Sequence, residues 1–508
     1  MRLNRNFHID LLLRRDATKD ELFDLYFDNS MNKDILNRVA EKCYFPANEI
    51  ILEEIERFKE TGKEFKVSFS LSGVFIEQCR MWRPEILESF SQLVETGCVE
   101  LLGQTYYHSL SSLYPDWSEF MAEVEMHREA MRELFNYSPR VFENTECLYN
   151  NSIAKAIERI GYEATITEGL RRFLGWRSPN YVYRAKGSPV RVLLRNYQLS
   201  DDIGFRFTST EWDQWPLTAD KYADWLSSTP GQVIVIFMDY ETFGEHYWRE
   251  SGILDFLRWL PREVNRRDNL TWSTPSEAIS RHPPVDEIDI PRHQTVSWAD
   301  EERDMTAWLG NTLQKTAFNL LREVRTFVNI VGDEQLLRVW RYLQTSDHFY
   351  YMSTKGGGSG VVHSTFNPYG NPVEAFITFT RILSDLEARC RLESKEFRYE
   401  HRFLRRLPPE RAFSFFHKFA GPTGLVAHSL EEFHSVMKTV SIDSIRFHLE
   451  RGDFERWLGQ VVGDEELAEE FRQLSEEELP DGELRKRVLD LLHRRIEELK
   501  NMGGEVPT

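Results

Sequence analysis

The stretch VIVIFMDYETFGEHYW, residues 233–248, has reactive side chains at the end of an apolar run. The six apolar residues at 233–238 predict a buried β-strand. The reactive side chains beyond this run are those of Asp239, Glu241, His246 and Trp248. Side chains two positions apart on a strand point to the same face, so Asp239 and Glu241 share one site if the strand continues past Asp239. The stretch therefore predicts a strand whose end opens on a functional cleft.

Helical and strand patterns alternate through the first half of the chain. Residues 49–62 have apolar side chains at helical spacing and end on Gly, and residues 66–70 alternate as a strand does. The other strand candidates in this half include EATITEG (163–169), VRVLLRNY (190–197) and QVIVIFMDY (232–240). Strands that alternate with helices favour parallel β/α units, in which reactive groups collect where the strands end. Polar groups occur at four such ends, in TYYHS, NTE, LSDD and MDYE.

The second half of the chain has a different pattern. A Pro-rich linker, RHPPVDEIDIPRHQ at 281–294, precedes helical patterns at 300–331, 333–343 and 373–392, which predict a helical bundle. KGGGSG at 355–360 predicts a flexible loop. A second break, RRLPPERAF at 405–413, opens a C-terminal unit. We therefore expect three parts, at residues 1–285, 286–404 and 405–508.

Composition limits the classes of partner. A net charge of −19 argues against nucleic acids and anionic membranes, because both would repel the chain. Aromatic residues make up 13% of the 508 residues, and their flat faces suit stacking on sugar rings as well as core packing. Five widely spaced cysteines suggest neither a disulfide framework nor a zinc knuckle. With no apolar leader or membrane-length apolar run, a cytoplasmic protein is the prediction.

Two acidic strand ends carry the clearest chemistry. A retaining glycosidase needs a carboxylate nucleophile opposite a carboxylic acid, and Glu146 in ENTECLYN offers a partner for Asp239. Two close carboxylates cannot both ionise freely, so one of them gains a raised pKa and can act as the acid. The same residues also suit helix capping. The residues alone leave both interpretations open.

Other reaction classes have weaker signals. The histidines are scattered and form no His-x-x-x-His pattern, so a metal site is not expected. No Gly-x-Ser-x-Gly motif is present, and Cys147 has no obvious base nearby in sequence. No Gly-rich phosphate loop follows a strand. We therefore expect neither a metal nor any other cofactor.

Five motifs together resemble glycoside hydrolase family 57, in particular its α-amylase-like branch. They are VFENTECLYNNSIAKAIERIGYEA, GWRSPNYVY, LLRNYQLSDDIGFRF, FMDYETFGEHYW and SWADEERDMTAWLGN. The resemblance covers roughly residues 1–392, in order and at family-like spacing. It implies an α/β fold, an incomplete TIM-like barrel of seven β/α units, followed by a helical bundle that completes the cleft. It also implies retaining action on α-1,4-glucans.

The resemblance assigns roles to individual residues. Glu146 corresponds to the nucleophile and Asp239 to the general acid/base. The residues that it implies as substrate contacts are His108, Asp201, Asp202, Glu241, His246, Trp248 and Trp308. His108 stands where many members of the family have a Glu. Residues 408–474 resemble a small α-rich domain of unknown function that is appended in some archaeal and bacterial proteins.

One departure from the family bears on activity. Members of the family open with a strand that ends in His-Gln-Pro, whereas this chain opens with MRLNRNFH, which resembles the residues after that motif. The expectation is a first strand that is missing and an activity that is in doubt. The alternatives to an α-amylase are 4-α-glucanotransferase, a branching enzyme, a metal-dependent deacetylase that would need a His-rich triad, and a non-catalytic glucan-binding protein. The oligomeric state is not predicted.

Overall fold

The structure is a computed structural model that describes residues 1–7, 17–393, 403–418, 421–477 and 479–501. The chain divides into two compact units. The first comprises Met1–Arg325 and Asp333–Asp385, and the second comprises Thr326–Gly332 and Leu386–Thr508. The division into three parts at 285 and 404 stays a prediction.

The first unit contains two sheets. Strands β1 (Val67–Ser70) and β2 (Val99–Leu102) form a parallel pair. The second sheet has the order β3-β4-β6-β5-β7, with strands Val141–Glu143, Ala164–Glu168, Arg191–Arg195, Val182–Ala185 and Glu287–Ile288 respectively. β3, β4 and β6 are parallel neighbours, as the β/α alternation predicts, whereas β5 runs antiparallel to β6. A parallel bridge from Gly103 to Phe142 continues β2 towards β3, so the ends of these two strands lie side by side.

The prediction of a buried strand at residues 233–238 is wrong in two respects. Within this run, the structure has one parallel bridge, from Val235 to Arg195, and no regular strand. Its side chains are also only half-buried. The alternation of a strand nevertheless persists, because Val233 and Phe237 pack with the sheet residues and Ile236 packs with the helices.

Helices cover the sheets and account for most of the regular secondary structure of the first unit. The predicted helix at 49–62 is confirmed as Phe45–Thr61, which ends at the left-handed Gly62. The helices of this unit that precede residue 300 are Leu22–Tyr26, Asn29–Val39, Phe45–Thr61, Gly73–Trp82, Pro84–Glu95, Ser118–Phe135, Asn151–Ile160, Arg171–Leu174, Tyr197–Gly204, Ala219–Ser228, Ile253–Asn265 and Pro275–Arg281. Those after it are Thr306–Leu309, Glu334–Tyr342, Ser346–Tyr350 and Gly357–Phe366. Two further helices, Thr312–Val331 and Pro372–Glu393, begin in the first unit and end in the second.

Two local predictions need correction. KGGGSG is not a free loop, because the helix Gly357–Phe366 begins within it. His363 of that helix stacks on Tyr350, with ring centroids 3.7 Å apart, and this contact anchors a segment of low intrinsic helix propensity. LSDD is not a strand end either, since Asp201 and Asp202 lie on the helix Tyr197–Gly204.

The buried side chains of the strands belong to three apolar clusters, of which one joins Phe69, Val99 and Leu101 to the helices. Two others contain residues of the five-stranded sheet. One packs the sheet against helices such as Asn151–Ile160. The other joins residues from both sheets with the 233–238 segment, and its strand members are Leu102, Val141, Ala164, Ile166, Val182 and Leu193, with Val233, Val235 and Phe237. β2 and β4 are buried along their whole length, whereas β1 is half-buried. Strands covered on both faces are typical of parallel β/α folds.

The second unit has its own core. Strands β8 (Phe413–Lys418) and β9 (Gly421–Ala427) form an antiparallel hairpin. The helices that follow it are Leu430–Met437, Ile442–Glu450, Asp453–Arg456, Glu465–Ser475 and Asp481–Asn501. Asp464 caps the helix Glu465–Ser475, because its side chain accepts a hydrogen bond from the Leu467 N–H. The same carboxylate forms a buried ion pair with Arg495. Within the part of the chain that the structure describes, every helix is too short or too polar to cross a membrane.

Candidate active site

Backbone strain concentrates in one region of the first unit. Six described residues other than Gly have a positive φ, a conformation that costs most residues free energy. Asn136 ends a helix in the usual way. The other five are His108, Glu146, Cys147, Asp300 and Arg303. Strain that packing maintains is a pointer to function, so this cluster marks the candidate site.

Glu146 is held from three directions. It follows β3 in a short turn, at φ 59° and ψ 28°. Trp298 Nε1–H donates to its Oε2 over 2.9 Å, and the Ser346 hydroxyl donates to its Oε1 over 2.8 Å. His108 Nε2 lies 3.4 Å from the same Oε1. With both oxygens engaged, the carboxylate is fixed in one orientation.

His108 follows β2 and lies beside Glu146. Its carbonyl accepts the Ser346 N–H over 2.9 Å, so the same serine contacts both residues. Burial lowers the pKa of His108, but the hydrogen bond and the charge of Glu146 outweigh burial and raise it above the usual value. The bundle residue Ser346 thus connects the ends of β2 and β3.

Asp239 lies within electrostatic range of Glu146, His108, Glu241 and His246. Its side chain is open to solvent, yet enough protein surrounds it to weaken hydration of the charged form. This burial raises the pKa of Asp239 to about 6. His246 and His108 act against the shift, whereas the negative charges of Glu241 and Glu146 add to it. A carboxyl that keeps its proton near neutral pH can act as a general acid.

Glu241 does not continue a strand beside Asp239, because residues Tyr240–Thr242 form a 3₁₀ turn. The Tyr44 hydroxyl donates to Glu241 Oε1 over 2.5 Å. The loop after this turn approaches the Lys42 backbone so closely that a Cβ on Gly244, at φ 136°, would lie 1.9 Å from the Lys42 carbonyl oxygen. Glycine at position 244 therefore lets the loop pack where Tyr44 can reach Glu241.

His246 and Trp248 lie on the loop after Glu241. His246 is half-buried beside Phe366, with ring centroids 5.6 Å apart. Trp248 is 63% exposed, and Lys42 Nζ lies 4.4 Å from its ring centroid. The exposed face of this indole is available for stacking.

Asp201, Asp202 and Trp308 are engaged in protein contacts. Asp201 accepts one hydrogen bond from Arg195 and one from Arg303, each over 2.6 Å. Asp202 pairs with Arg206 on the same helix. Trp308 is 1% exposed and lies behind Tyr350, with ring centroids 6.3 Å apart. These three side chains are therefore held away from the candidate site by other contacts. The predicted site residues that the structure brings together are His108, Glu146, Asp239, Glu241 and His246.

Three neighbours of the carboxylates were not predicted as site residues. Trp298 and Ser346 donate to Glu146 from positions 152 and 200 residues further along the chain. Burial and the charges of Asp300, Glu146 and Asp239 raise the pKa of Tyr350, so this phenol lies near both carboxylates. Only Trp298 had a sequence signal, since it lies in the SWADEERD motif.

Asp300 supports the loop that carries Trp298. Its side chain is 3% exposed and binds Lys355 over 2.8 Å and His363 over 2.9 Å. Among the described residues, no group of three or more His, Cys, Asp or Glu side chains could hold a metal ion.

Two protein families match separate parts of this chain. The sequence model of Glycosyl hydrolase family 57 matches residues 3–291, and that of a family of unknown function, DUF5752, matches residues 392–492. A protein of Methanocaldococcus jannaschii named "Putative alpha-amylase" is 46% identical over 374 residues, which are 72% of this chain and 79% of that protein.

Solved structures of the same family resemble the fold. A branching enzyme of Thermococcus kodakaraensis has a TM-score of 0.52 at 15% identity, covering 72% of this chain and 91% of that one. A branching enzyme of Pyrococcus horikoshii has a TM-score of 0.51 at 16% identity, covering 70% and 90%. At these identities, the likeness concerns the fold alone.

Proposed function

Since the chain belongs to glycosyl hydrolase family 57 and is thus a glycoside hydrolase, we propose that it is a retaining α-amylase-like enzyme that cleaves α-1,4-glucans. The observation that carries the proposal is the pairing of Glu146 with Asp239. Glu146 is oriented by two hydrogen-bond donors with His108 beside it, and the solvent-exposed Asp239 has a pKa raised by burial to about 6. A fixed carboxylate and a protonated one are what retaining hydrolysis needs.

In the first step, Asp239 protonates the glycosidic oxygen while Glu146 attacks the anomeric carbon. The carbon–oxygen bond breaks, the leaving chain departs as an alcohol, and the sugar is held as an ester of Glu146. In the second step, the Asp239 carboxylate takes a proton from water as the water oxygen bonds to the anomeric carbon. The ester breaks and both carboxyls return to their starting states.

We further propose that both sheets and the 233–238 segment form the barrel of seven β/α units implied by the family. The support is their shared apolar cluster, which contains side chains from β2, β3, β4, β5, β6 and this segment. Glu241, His246 and Trp248 then line the cleft as substrate contacts. The proposed partner is an α-glucan, and a cytoplasmic location stays a prediction.

The test is to incubate the purified full chain with soluble starch and with a defined maltooligosaccharide. Hydrolysis raises the number of reducing ends, and the first product has the α configuration by NMR if the configuration is retained. New longer oligosaccharides without a rise in reducing ends would assign 4-α-glucanotransferase activity instead. New α-1,6 linkages would assign branching activity.

A protein that binds the oligosaccharide and changes none of it would contradict catalysis and leave glucan binding alone. The Glu146→Gln variant is the matched control, since it keeps the shape of the side chain and removes the nucleophile. Any turnover that this variant shares with the parent protein comes from a contaminant.

A further inference from the structure

A line of buried polar side chains lies behind His108. Ser70 Oγ is 2.9 Å from Glu143 Oε2, and the Gln104 amide is 2.9 Å from the same Ser70 Oγ. The Gln104 amide also lies 3.2 Å from His108 Nδ1, and His108 Nε2 faces Glu146. Gln104 is 2% exposed and Glu143 is 4% exposed. The line therefore runs through the protein interior and ends at the proposed nucleophile.

The orientation of the Gln104 amide follows from its main-chain neighbours. The N–H groups of Ser72 and Leu71 face one terminal atom of the amide, at 3.0 Å and 3.3 Å. Two donors require an acceptor, so this atom is the carbonyl oxygen of Gln104. The other terminal atom is then the nitrogen, and it donates to His108 Nδ1 over 3.2 Å.

This orientation sets the direction of every hydrogen bond in the line. A ring nitrogen that accepts a hydrogen bond carries no hydrogen, so the single hydrogen of His108 lies on Nε2 and points at Glu146. At the other end, Ser70 donates its one hydroxyl hydrogen to the Gln104 oxygen. Ser70 can then only accept from Glu143, which must carry a proton. Burial raises the pKa of Glu143 to about 7, in keeping with this state.

We propose that Gln104 is a positioning residue that holds His108 as the neutral tautomer with its hydrogen on Nε2, so that His108 donates to Glu146 without forming an ion pair. The proposal deepens the proposed function and rests on it for its catalytic meaning. The titratable groups that face His108 are Glu143, Glu146, Asp239 and Asp347. Glu143 is neutral in this line. Burial lowers the pKa of His108, whereas the charges of Glu146 and Asp347 raise it and favour the imidazolium. The Gln104 N–H opposes these charges, because an imidazolium carries a hydrogen on both nitrogens and leaves that N–H without an acceptor.

The catalytic consequence concerns the nucleophile. An imidazolium beside Glu146 would hold the carboxylate in an ion pair and weaken its attack on the anomeric carbon. A neutral imidazole orients the same oxygen with a weaker hydrogen bond. Gln104 thus lets His108 orient Glu146 while the imidazole stays uncharged.

The direct test is the protonation state of His108 in the full chain. Long-range ¹H–¹⁵N spectra of protein labelled with ¹⁵N-histidine distinguish a bare ring nitrogen from one that carries hydrogen. The His108 signals are assigned by their loss in His108→Gln. At pH 7, we expect Nε2 with hydrogen and Nδ1 without it. Hydrogen on both nitrogens, or on Nδ1 alone, would overturn the proposal.

Two variants test whether Gln104 determines the tautomer of His108. Gln104→Glu keeps an acceptor for Ser72 and Leu71 but places a carboxylate oxygen at Nδ1, so His108 should carry hydrogen on both nitrogens. Glu143→Gln can donate to Ser70 and accept from Cys147 N–H, as protonated Glu143 does, so it should leave the His108 tautomer unchanged. An unchanged His108 spectrum in Gln104→Glu would contradict the role of Gln104.

The kinetic readout is the ratio of variant to parent kcat across pH. For Gln104→Glu, we expect kcat at pH 7 to fall by about 10-fold to 100-fold, as is typical when an outer partner of a functional His is changed, with KM little altered. The ratio should rise again as pH increases and His108 loses its extra proton. A ratio that is constant with pH would indicate a general structural effect and count against the proposal.

The control for added charge is Gln78→Glu. The Gln78 amide donates to the main-chain oxygen of Val74 on the helix Gly73–Trp82 and lies outside the line. We expect this variant to change neither the His108 spectrum nor the ratio. Because the spectra need no substrate, they test Gln104 even if the parent protein proves inactive on glucans, and such inactivity would remove the proposed function alone.

Discussion

The two carboxylates of the site lie at the ends of two differently built segments. Glu146 follows β3, which is fully buried within a five-stranded sheet, and three side chains point hydrogen-bonding nitrogens or oxygens at its carboxylate. Asp239 follows a half-buried segment with one bridge, and among the described residues none donates a hydrogen bond to its carboxylate. The surroundings of Glu146 fix the orientation of its carboxylate, whereas those of Asp239 set its ionisation state.

This difference matches the division of labour in the proposed reaction. A nucleophile must meet the anomeric carbon from one direction, so rigid donors serve it. A general acid must give up and recover its proton within one cycle, so a pKa near the working pH serves it better than fixed bonds. Trp298 links the two segments, because it donates to Glu146 and lies 5.6 Å from the ring of Phe237.

The largest expected loss of activity follows the replacement of Glu146. Glu146→Gln should lower kcat on starch by about 10⁴-fold or more, as removal of a covalent nucleophile does. Substrates with an activated aryl leaving group should not restore the rate, because no ester can form. Restored turnover on such substrates would show that Glu146 is not the nucleophile.

Asp239→Asn should lower kcat on starch by about 10²-fold to 10⁴-fold, the usual contribution of a general acid. An activated aryl maltooligosaccharide leaves without protonation, so its bond cleavage should be much less affected than that of starch. Measuring both substrates on both variants separates the roles. Equal losses on the two substrates would contradict the assignment of Asp239.

Trp298→Phe removes one donor to Glu146 and keeps most of the ring. We expect kcat to fall by about 10-fold to 100-fold, the value of one hydrogen bond to a charged group, with KM little changed. The control is Trp176→Phe, because Trp176 is 96% exposed. A Trp298→Phe variant with normal kcat would show that Glu146 does not depend on this donor.

The ionisation of Asp239 predicts that two variants shift the pH dependence of kcat/KM in opposite directions. The acid must be protonated, so kcat/KM should fall as pH rises past about 6, where burial places the pKa of Asp239. Glu241→Gln removes a charge that raises this pKa and should move the fall to lower pH. His246→Gln removes a group that lowers the pKa and should move it to higher pH. Shifts of the same sign in both variants would refute this electrostatic account.

The smallest effect is expected at the exposed indole. Trp248→Ala should raise KM for maltooligosaccharides about threefold to tenfold by loss of one stacking face, with kcat nearly constant. The free energy of unfolding should change by less than about 1 kcal/mol, because the contact with Lys42 is an exposed cation–π pair. Denaturant unfolding of both proteins measures the second value, and an unchanged KM would exclude Trp248 from binding.

Much of the fold was predictable because the signals are local. The β/α alternation predicted β1, β4 and β6 together with the helix Phe45–Thr61, since apolar spacing and Gly stops depend on neighbouring residues only. The 233–238 run misled for the same reason. Its six apolar residues suit full burial, but burial depends on which segments lie beside it, and the run contains no information on them.

The candidate site divides in the same way. The sequence by itself determined that Glu146 follows the end of a strand, and the family motifs pointed to Glu146 and Asp239. Tertiary structure alone decided that Glu146 adopts a left-handed backbone and meets Trp298 and Ser346, which are distant in sequence. It also decided that the amide of Gln104 faces two main-chain N–H groups and hence His108. Hydrogen-bond direction and desolvation depend on atoms from several segments at once, and only the folded chain brings those atoms together.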